Sequence, residues 1–138
     1  DSNPHFVGLG TAADDLGKIE TGRVNTGSKF KNGNFGTQKY LLYTIPELAK
    51  LSGKNEIAAS FTVSGTSNND EITAFKYQFY NGDTPIGTVG SVDANKKEIK
   101  TVDKYSTSFT STTDLSLRVY PDCTDCGLSI SPISIYAK

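Results

Sequence analysis

The groups best suited to form a reactive or metal-binding centre in this sequence are two cysteines, one histidine and a few acid clusters. Cys123-Thr124-Asp125-Cys126 is the most conspicuous. Three chemistries compete for it. A zinc half-site needs two further soft ligands, but the chain has no other Cys and its one His, His5, lies at the opposite end. A dithiol redox pair needs its first Cys at the start of a helix inside a βαβ unit, whereas this pair sits between two strand patterns. A local disulfide that closes a tight loop fits the position best. Such a small ring shapes the loop more than it stabilises the chain, and it implies an oxidising compartment.

His5 has the chemistry of a general base, but one His some ten residues from Asp14 and Asp15 makes no triad. It reads as an exposed tail residue. Asp14-Asp15, Asn68-Asn69-Asp70-Glu71 and the pair Asp122 and Asp125 offer oxygens that suit calcium. None has the spacing of a calcium loop, so solvated turn acids are the simpler reading, with a structural calcium the one cofactor left open. Counting alone does not remove a carboxylate pair for glycoside hydrolysis, yet the chain is short and has no insertion of lid size. Gly8-Leu9-Gly10 is followed by no helix and forms no phosphate loop. The chain reads as a non-enzyme.

Recognition by aromatic rings is better supported. Seven Tyr and seven Phe are more than a core of this size needs. Phe61, Phe75, Phe79 and Phe109 fall at core positions of strand patterns, whereas Tyr40, Tyr43, Tyr80 and Tyr120 fall where alternation can expose them. Lys76 and Gln78 share a face with Tyr80, and Arg118 shares one with Tyr120. Tyr rings stack on the apolar C–H faces of sugars, while Gln, Lys and Arg donate to hydroxyls or pair with acidic sugars. The candidate ligand set is therefore Tyr80, Tyr120, Lys76, Gln78, Arg118 and Tyr43. Ordinary edge and rim packing of strand tyrosines is the rival account.

These groups must be positioned by a chain of 138 residues, the length of one domain with a real hydrophobic core. Fourteen bases against fifteen acids, with a pI near 5.8, supply no field for nucleic acid or anionic lipid. No apolar run approaches the ~20 residues of a membrane helix, and no leader pattern opens the chain. Met is absent even at position 1, as in a segment of a longer or processed product. Ser and Thr together fill thirty positions and Gly thirteen, a composition of strands and turns. The chain is expected to be secreted or surface-displayed.

The first 38 residues read as strands broken by loops, with Asn25-Thr26-Gly27, Asn32-Gly33 and Asn34-Phe35-Gly36 as turn signals and Phe30 and Phe35 as core anchors. Tyr40 to Ile45 is a strand. Thr44-Ile45-Pro46-Glu47 has capping-box spacing, which predicts one short helical turn near 46–51, closed at Ser52-Gly53. Strands follow at Glu56–Ser64 and Glu71–Tyr80, and Asn81-Gly82-Asp83 turns the second into Thr84–Val92. Pro85 places that return strand near an edge. Further strands are expected near Glu98–Val102, Tyr105–Thr110, Leu115–Tyr120 and Leu128–Ala137, with a bulge or edge at Pro132. Eight or more strands separated by turns predict an all-β, antiparallel β-sandwich of the jelly-roll type in one domain, residues 1–138.

The order of elements resembles the jelly-roll carbohydrate-binding modules and galactose-binding-like domains of secreted glycan-active proteins. The residues that carry the resemblance are Lys31-Asn32-Gly33-Asn34-Phe35-Gly36, Glu47-Leu48-Ala49-Lys50-Leu51-Ser52-Gly53-Lys54 leading into Ile57-Ala58-Ala59-Ser60-Phe61-Thr62-Val63, and Asp114-Leu115-Ser116-Leu117-Arg118-Val119-Tyr120-Pro121 with Ile133-Ser134-Ile135-Tyr136. The Trp platform usual in such modules is absent, so the resemblance implies that Tyr takes the stacking role. It also implies non-catalytic binding of an extracellular polysaccharide or glycan by a module covalently joined to other domains. Two alternatives of another class stand beside it. One is an adhesion or receptor-binding head of surface, pilus or phage-tail type, whose partner is a protein. The other is a ligand-free structural module of a larger enzyme.

Overall fold

The computed structural model describes residues 5–11, 17–20, 23–25, 30–35, 38–45, 48–66, 72–94, 97–110, 114–123 and 126–138, with strand placement alone for 17–38. Twelve strands among them form two antiparallel sheets. The first holds β1 (Val7–Thr11), β2 (Gly17–Glu20), β3 (Arg23–Asn25), β6 (Glu56–Gly65), β9 (Lys100–Ser108), β11 (Leu128–Ile130) and β12 (Ser134–Ala137). The second runs in the order β4 (Phe30–Phe35), β5 (Gln38–Thr44), β10 (Leu115–Pro121), β7 (Ala74–Asn81), β8 (Thr84–Asp93). A single 3-10 turn, Leu48–Leu51, lies between β5 and β6, where the helical turn is predicted; Pro46 and Glu47 of the capping box lie outside the described residues. Gly53, at φ +77°, closes that turn in the left-handed conformation that glycine adopts without strain.

The core is the space between the sheets. Ile57, Ala59, Phe61 and Val63 of β6, with Leu128 and Ile130 of β11 and Ile135 of β12, face Leu41 and Tyr43 of β5, Phe75, Tyr77 and Phe79 of β7, and Leu115, Leu117 and Val119 of β10. Alternation is what sorts them, because successive side chains on a strand point to opposite faces. Phe61, Phe75, Phe79 and Phe109 are all buried as predicted. Along the side where β8 and β9 meet, aromatic rings knit the layers together. The Tyr77 ring packs edge-on against Phe61 and Tyr105, and Tyr105 stacks on Phe79 with centroids 5.3 Å apart. The Tyr105 hydroxyl donates to the Thr88 carbonyl on β8, the outer strand of its sheet, as Pro85 predicts.

Several local readings change. Asn32-Gly33 is no turn: both residues lie within β4, an edge strand paired along its length with β5, where a glycine costs little. The hairpin is built on Gly82-Asp83, between paired Asn81 and Thr84, with Gly82 at φ +60°. That is the first central position of a type II′ turn, which demands glycine. The two strands predicted between Glu98 and Thr110 are one, β9. A register shift opposite Ala59 and Phe61, with Lys104 at φ +49°, absorbs the polar Asp103-Lys104 pair without ending the strand. The last strand is two, β11 and β12, lying in turn along the same edge of β6 and separated by Ser131–Ile133, with one extra residue at the bulge predicted for Pro132. Phe30, Phe35, Asp14, Asp15 and Asn68–Glu71 fall outside the described side chains.

Two predictions follow from the packing between the layers. A Cβ at Gly90 would overlap the ring of Tyr77, and one at Gly87, already at φ +75°, would overlap Thr107. Gly90→Ala is expected to cost about 1–3 kcal/mol of stability, as overpacking does, and Gly87→Ala at least as much, both read as lowered urea midpoints. Tyr105 is the second case. Burial, opposed by a backbone hydrogen bond at Phe79 and reinforced by its tyrosine neighbours, pushes its hydroxyl up to about 12. The unfolded chain loses this proton near pH 10 and the folded one near pH 12, so stability is full below pH 10 and falls as pH rises through that window. Urea midpoints at pH 9 and pH 11 check it; equal values would count against a buried Tyr105.

Candidate functional site

The outer face of the second sheet is the surface on which the predicted ligand residues meet. Register sets its members. Arg118 on β10 lies opposite Leu42 on β5 and Gln78 on β7, Ser116 lies between Thr44 and Tyr80, and Tyr120 lies opposite Lys76. Cross-strand partners share a face, so Tyr80, Gln78, Lys76, Ser116, Arg118 and Tyr120 project together, away from the core residues that alternate with them. Tyr40 belongs to the same face as Leu42. Tyr43 does not: it is three positions from Tyr40, its parity is opposite, and its side chain lies in the core at 4% exposure. The expected ligand role of Tyr43 is therefore corrected to core packing.

Two more of the expected donors are withdrawn from solvent. Gln78 is 8% exposed and its Nε2 donates to the Gly87 carbonyl at 3.2 Å, so its amide ties β7 to the bulged start of β8. Arg118 is 4% exposed. Its guanidinium carbon lies 3.8 Å from the centroid of the Tyr80 ring and 4.7 Å from that of Tyr40. Its Nη2 donates to Asp83 Oδ1 at 3.0 Å and to the Gly82 carbonyl at 3.3 Å, both in the hairpin turn. Nε is buried without a partner. A guanidinium covered by rings and held by a turn does not reach a sugar hydroxyl, so the expected direct contact of Arg118 is corrected as well.

Tyr40, Tyr80, Tyr120 and Lys76 are each partly exposed on this face. Burial and the neighbouring Tyr80 raise the Tyr120 hydroxyl above its ordinary range, so the Tyr120 ring stays a neutral donor and acceptor at physiological pH. The far end of the face is acidic. Asp93 lies opposite Ala74, and Asp122 accepts at Oδ1 from the Thr73 amide at 2.9 Å and at Oδ2 from the Thr73 hydroxyl. Burial acts to raise the Asp122 carboxyl, but these bonds outweigh it and hold the group below the usual carboxylate range. Its oxygens are thus committed to Thr73.

The remaining sequence candidates lie elsewhere. Cys123 and Cys126 are joined as a disulfide between β10 and β11, with Cα atoms 5.6 Å apart and the Cys126 side chain in the core. His5 is exposed, beside β1. Among the described residues, no group of three His, Cys, Asp or Glu side chains is arranged to hold a metal. An open groove beside the 3-10 turn is lined by Leu48, Leu51, Lys54, Phe109 and Asp114, but the ring of Phe109 is buried in its floor. Sequence reasoning undervalued Tyr40, placed in this face by its pairing parity with Leu42, and Asp83, an exposed turn acid whose partner is on another strand.

No known protein family matches the sequence, and no curated protein matches it. Solved structures do match in fold. The xylan-binding domain CBM22-1 of Xyn10C from Paenibacillus barcinonensis superposes with a TM-score of 0.53 at 10% identity, over 96% of this chain and 85% of that one. The C-terminal CBM6 of LamC, a marine laminarinase from Zobellia galactanivorans, gives a TM-score of 0.44 at 13% identity, over 97% of this chain and all of the other. At this identity the first match shows a shared β-sandwich fold.

Proposed function

We propose that the chain is a non-catalytic, extracellular carbohydrate-binding module that takes a glycan on the outer face of its second sheet. The observation that carries this reading is the grouping of Tyr40, Tyr80 and Tyr120 on one sheet face beside Lys76. Tyrosine rings offer apolar area to the C–H faces of a pyranose, and their hydroxyls and the Lys76 ammonium serve the ring oxygens. The fold shared with a xylan-binding domain supports the same reading. A disulfide suits an oxidising compartment.

The charges of the face favour a neutral ligand. Lys76 and Arg118 are matched by Asp83, Asp93 and Asp122 among the described side chains, so the face offers no positive field to attract an acidic polymer. Affinity is expected to be modest, since a shallow face captures limited apolar area and the sugar must be ordered on it. The chain would serve to hold a covalently linked partner domain near its polysaccharide.

Tyr120→Ala and Tyr80→Ala test this. Each is expected to abolish retention in gels cast with soluble xylan, mixed-linkage β-glucan or galactan, with the thermal midpoint little changed for Tyr120→Ala. A large loss of midpoint would make the ring structural. No retention of the unaltered chain by any of the three would move the reading to a protein-binding or scaffolding module.

A further inference from the structure

We infer that Arg118 is a positioning residue, one that sets the tyrosine platform without touching the ligand; this rests on the carbohydrate reading above. Four observations converge on it. Its guanidinium lies against two rings of the face, Tyr80 at 3.8 Å and Tyr40 at 4.7 Å. Those rings sit on different strands, β7 and β5, on either side of β10. Arg118 is the side chain between them, at 4% exposure. Nη2 of the same guanidinium is fastened to the hairpin turn by Asp83 Oδ1 and the Gly82 carbonyl.

The geometry fits an arginine and no other cation. A guanidinium is planar and weakly hydrated, so it lies flat against a ring while its in-plane N–H groups still donate sideways. Arg118 meets both needs at once: its guanidinium carbon lies over the Tyr80 and Tyr40 rings, and Nη2 serves the turn. Nε carries no hydrogen bond although it is buried. A buried donor left unmatched costs free energy, so the packing of the plane against the rings, and not full hydrogen bonding, has set where this side chain lies. The turn it grips is a two-residue connection on Gly82, whose amide donates to the Asp114 carbonyl at 3.0 Å. The hairpin, the guanidinium and two rings thus form one linked unit, and the platform is ordered before any sugar arrives.

This role and a direct contact with the ligand predict opposite signs. Asp83 is fully exposed, so Asp83→Asn leaves the core untouched while it removes the charge from one of the two acceptors that hold Nη2 and so loosens its hold on the turn. If Arg118 positions the rings, loosening it weakens binding, by the two- to five-fold that an exposed ion pair is worth. If Arg118 binds the glycan, freeing it strengthens binding. Arg118→Lys retains the charge but lacks the plane, so a positioning role predicts at least a ten-fold loss, whereas a charge contact would be largely rescued.

The experiment measures the unaltered chain, Asp83→Asn and Arg118→Lys by affinity electrophoresis in soluble xylan, mixed-linkage β-glucan and galactan. Thermal midpoints and the near-ultraviolet circular dichroism of tyrosine accompany each. Weaker binding by both variants, with the midpoint retained by Asp83→Asn and an altered tyrosine signal in each, is the expected result. Tighter binding by Asp83→Asn, or wild-type binding by Arg118→Lys, overturns the inference. If Arg118→Lys fails to fold, Asp83→Asn decides alone. If the unaltered chain binds none of the three polymers, the carbohydrate reading falls by itself, and an unchanged tyrosine signal in a folded variant would then overturn the positioning role too.

Discussion

A guanidinium removed from water must be given partners, and that requirement at Arg118 organises the whole outer face of the second sheet. The position is imposed by the sandwich. β10 is the central strand of its sheet, with Leu115, Leu117 and Val119 in the core, so Ser116, Arg118 and Tyr120 must lie on the other side. Neighbouring strands then cover Arg118 from both flanks. Isolated, such a charge would cost several kcal/mol. Here it is met by ring faces, by one carboxylate and by one turn carbonyl, while Nε is left buried without a partner.

Much of the fold was legible because its signals are local. Alternation from Ile57 to Val63 and from Leu115 to Val119 identified core strands, Gly82 marked the hairpin, and Pro85 marked an outer strand. What alternation alone leaves open is parity in an apolar run. Tyr40-Leu41-Leu42-Tyr43 has an apolar residue at every step, so either tyrosine satisfies the pattern, and only pairing with β10 sends Tyr43 inward and Tyr40 outward. Burial of Gln78 and Arg118 is also non-local. Each is polar and shares the outward parity of its strand, yet Gln78 is tied to Gly87 across the β7–β8 hairpin and Arg118 is covered by rings from strands distant in sequence. The Asp103-Lys104 pair misled for a related reason: a bulge carries it within β9, where composition alone suggests a turn.

The outer strand of the second sheet is itself closed to pairing, which suits the proposed recognition by the sheet face. β8 has one side unpaired, which in a flat strand would invite another chain. Its Gly87 carbonyl takes the Gln78 amide and its Thr88 carbonyl takes the Tyr105 hydroxyl, a register shift bends it, and Pro85 removes a donor. Gly87 and Gly90 allow this closure because Thr107 and Tyr77 occupy the space their side chains would fill. One of the groups that block the edge, Tyr105, thus also belongs to the aromatic cluster that ties the two sheets together.

That division of labour bears on what the tyrosine face can achieve. A shallow surface captures little apolar area, and each long side chain ordered on binding costs about 0.5–1.5 kcal/mol. Tyrosine has only two rotatable bonds, and rings held by a guanidinium have even less freedom to lose. Arg118 is anchored at the hairpin, the hairpin is fixed by Gly82 and Asp114, and Tyr120 stands beside Lys76 on adjacent strands. A platform ordered in this way keeps more of a small contact energy as affinity than loop-borne rings would. On the proposed carbohydrate reading, the buried charge at its centre is therefore the device by which a chain without tryptophan would present a preordered aromatic face.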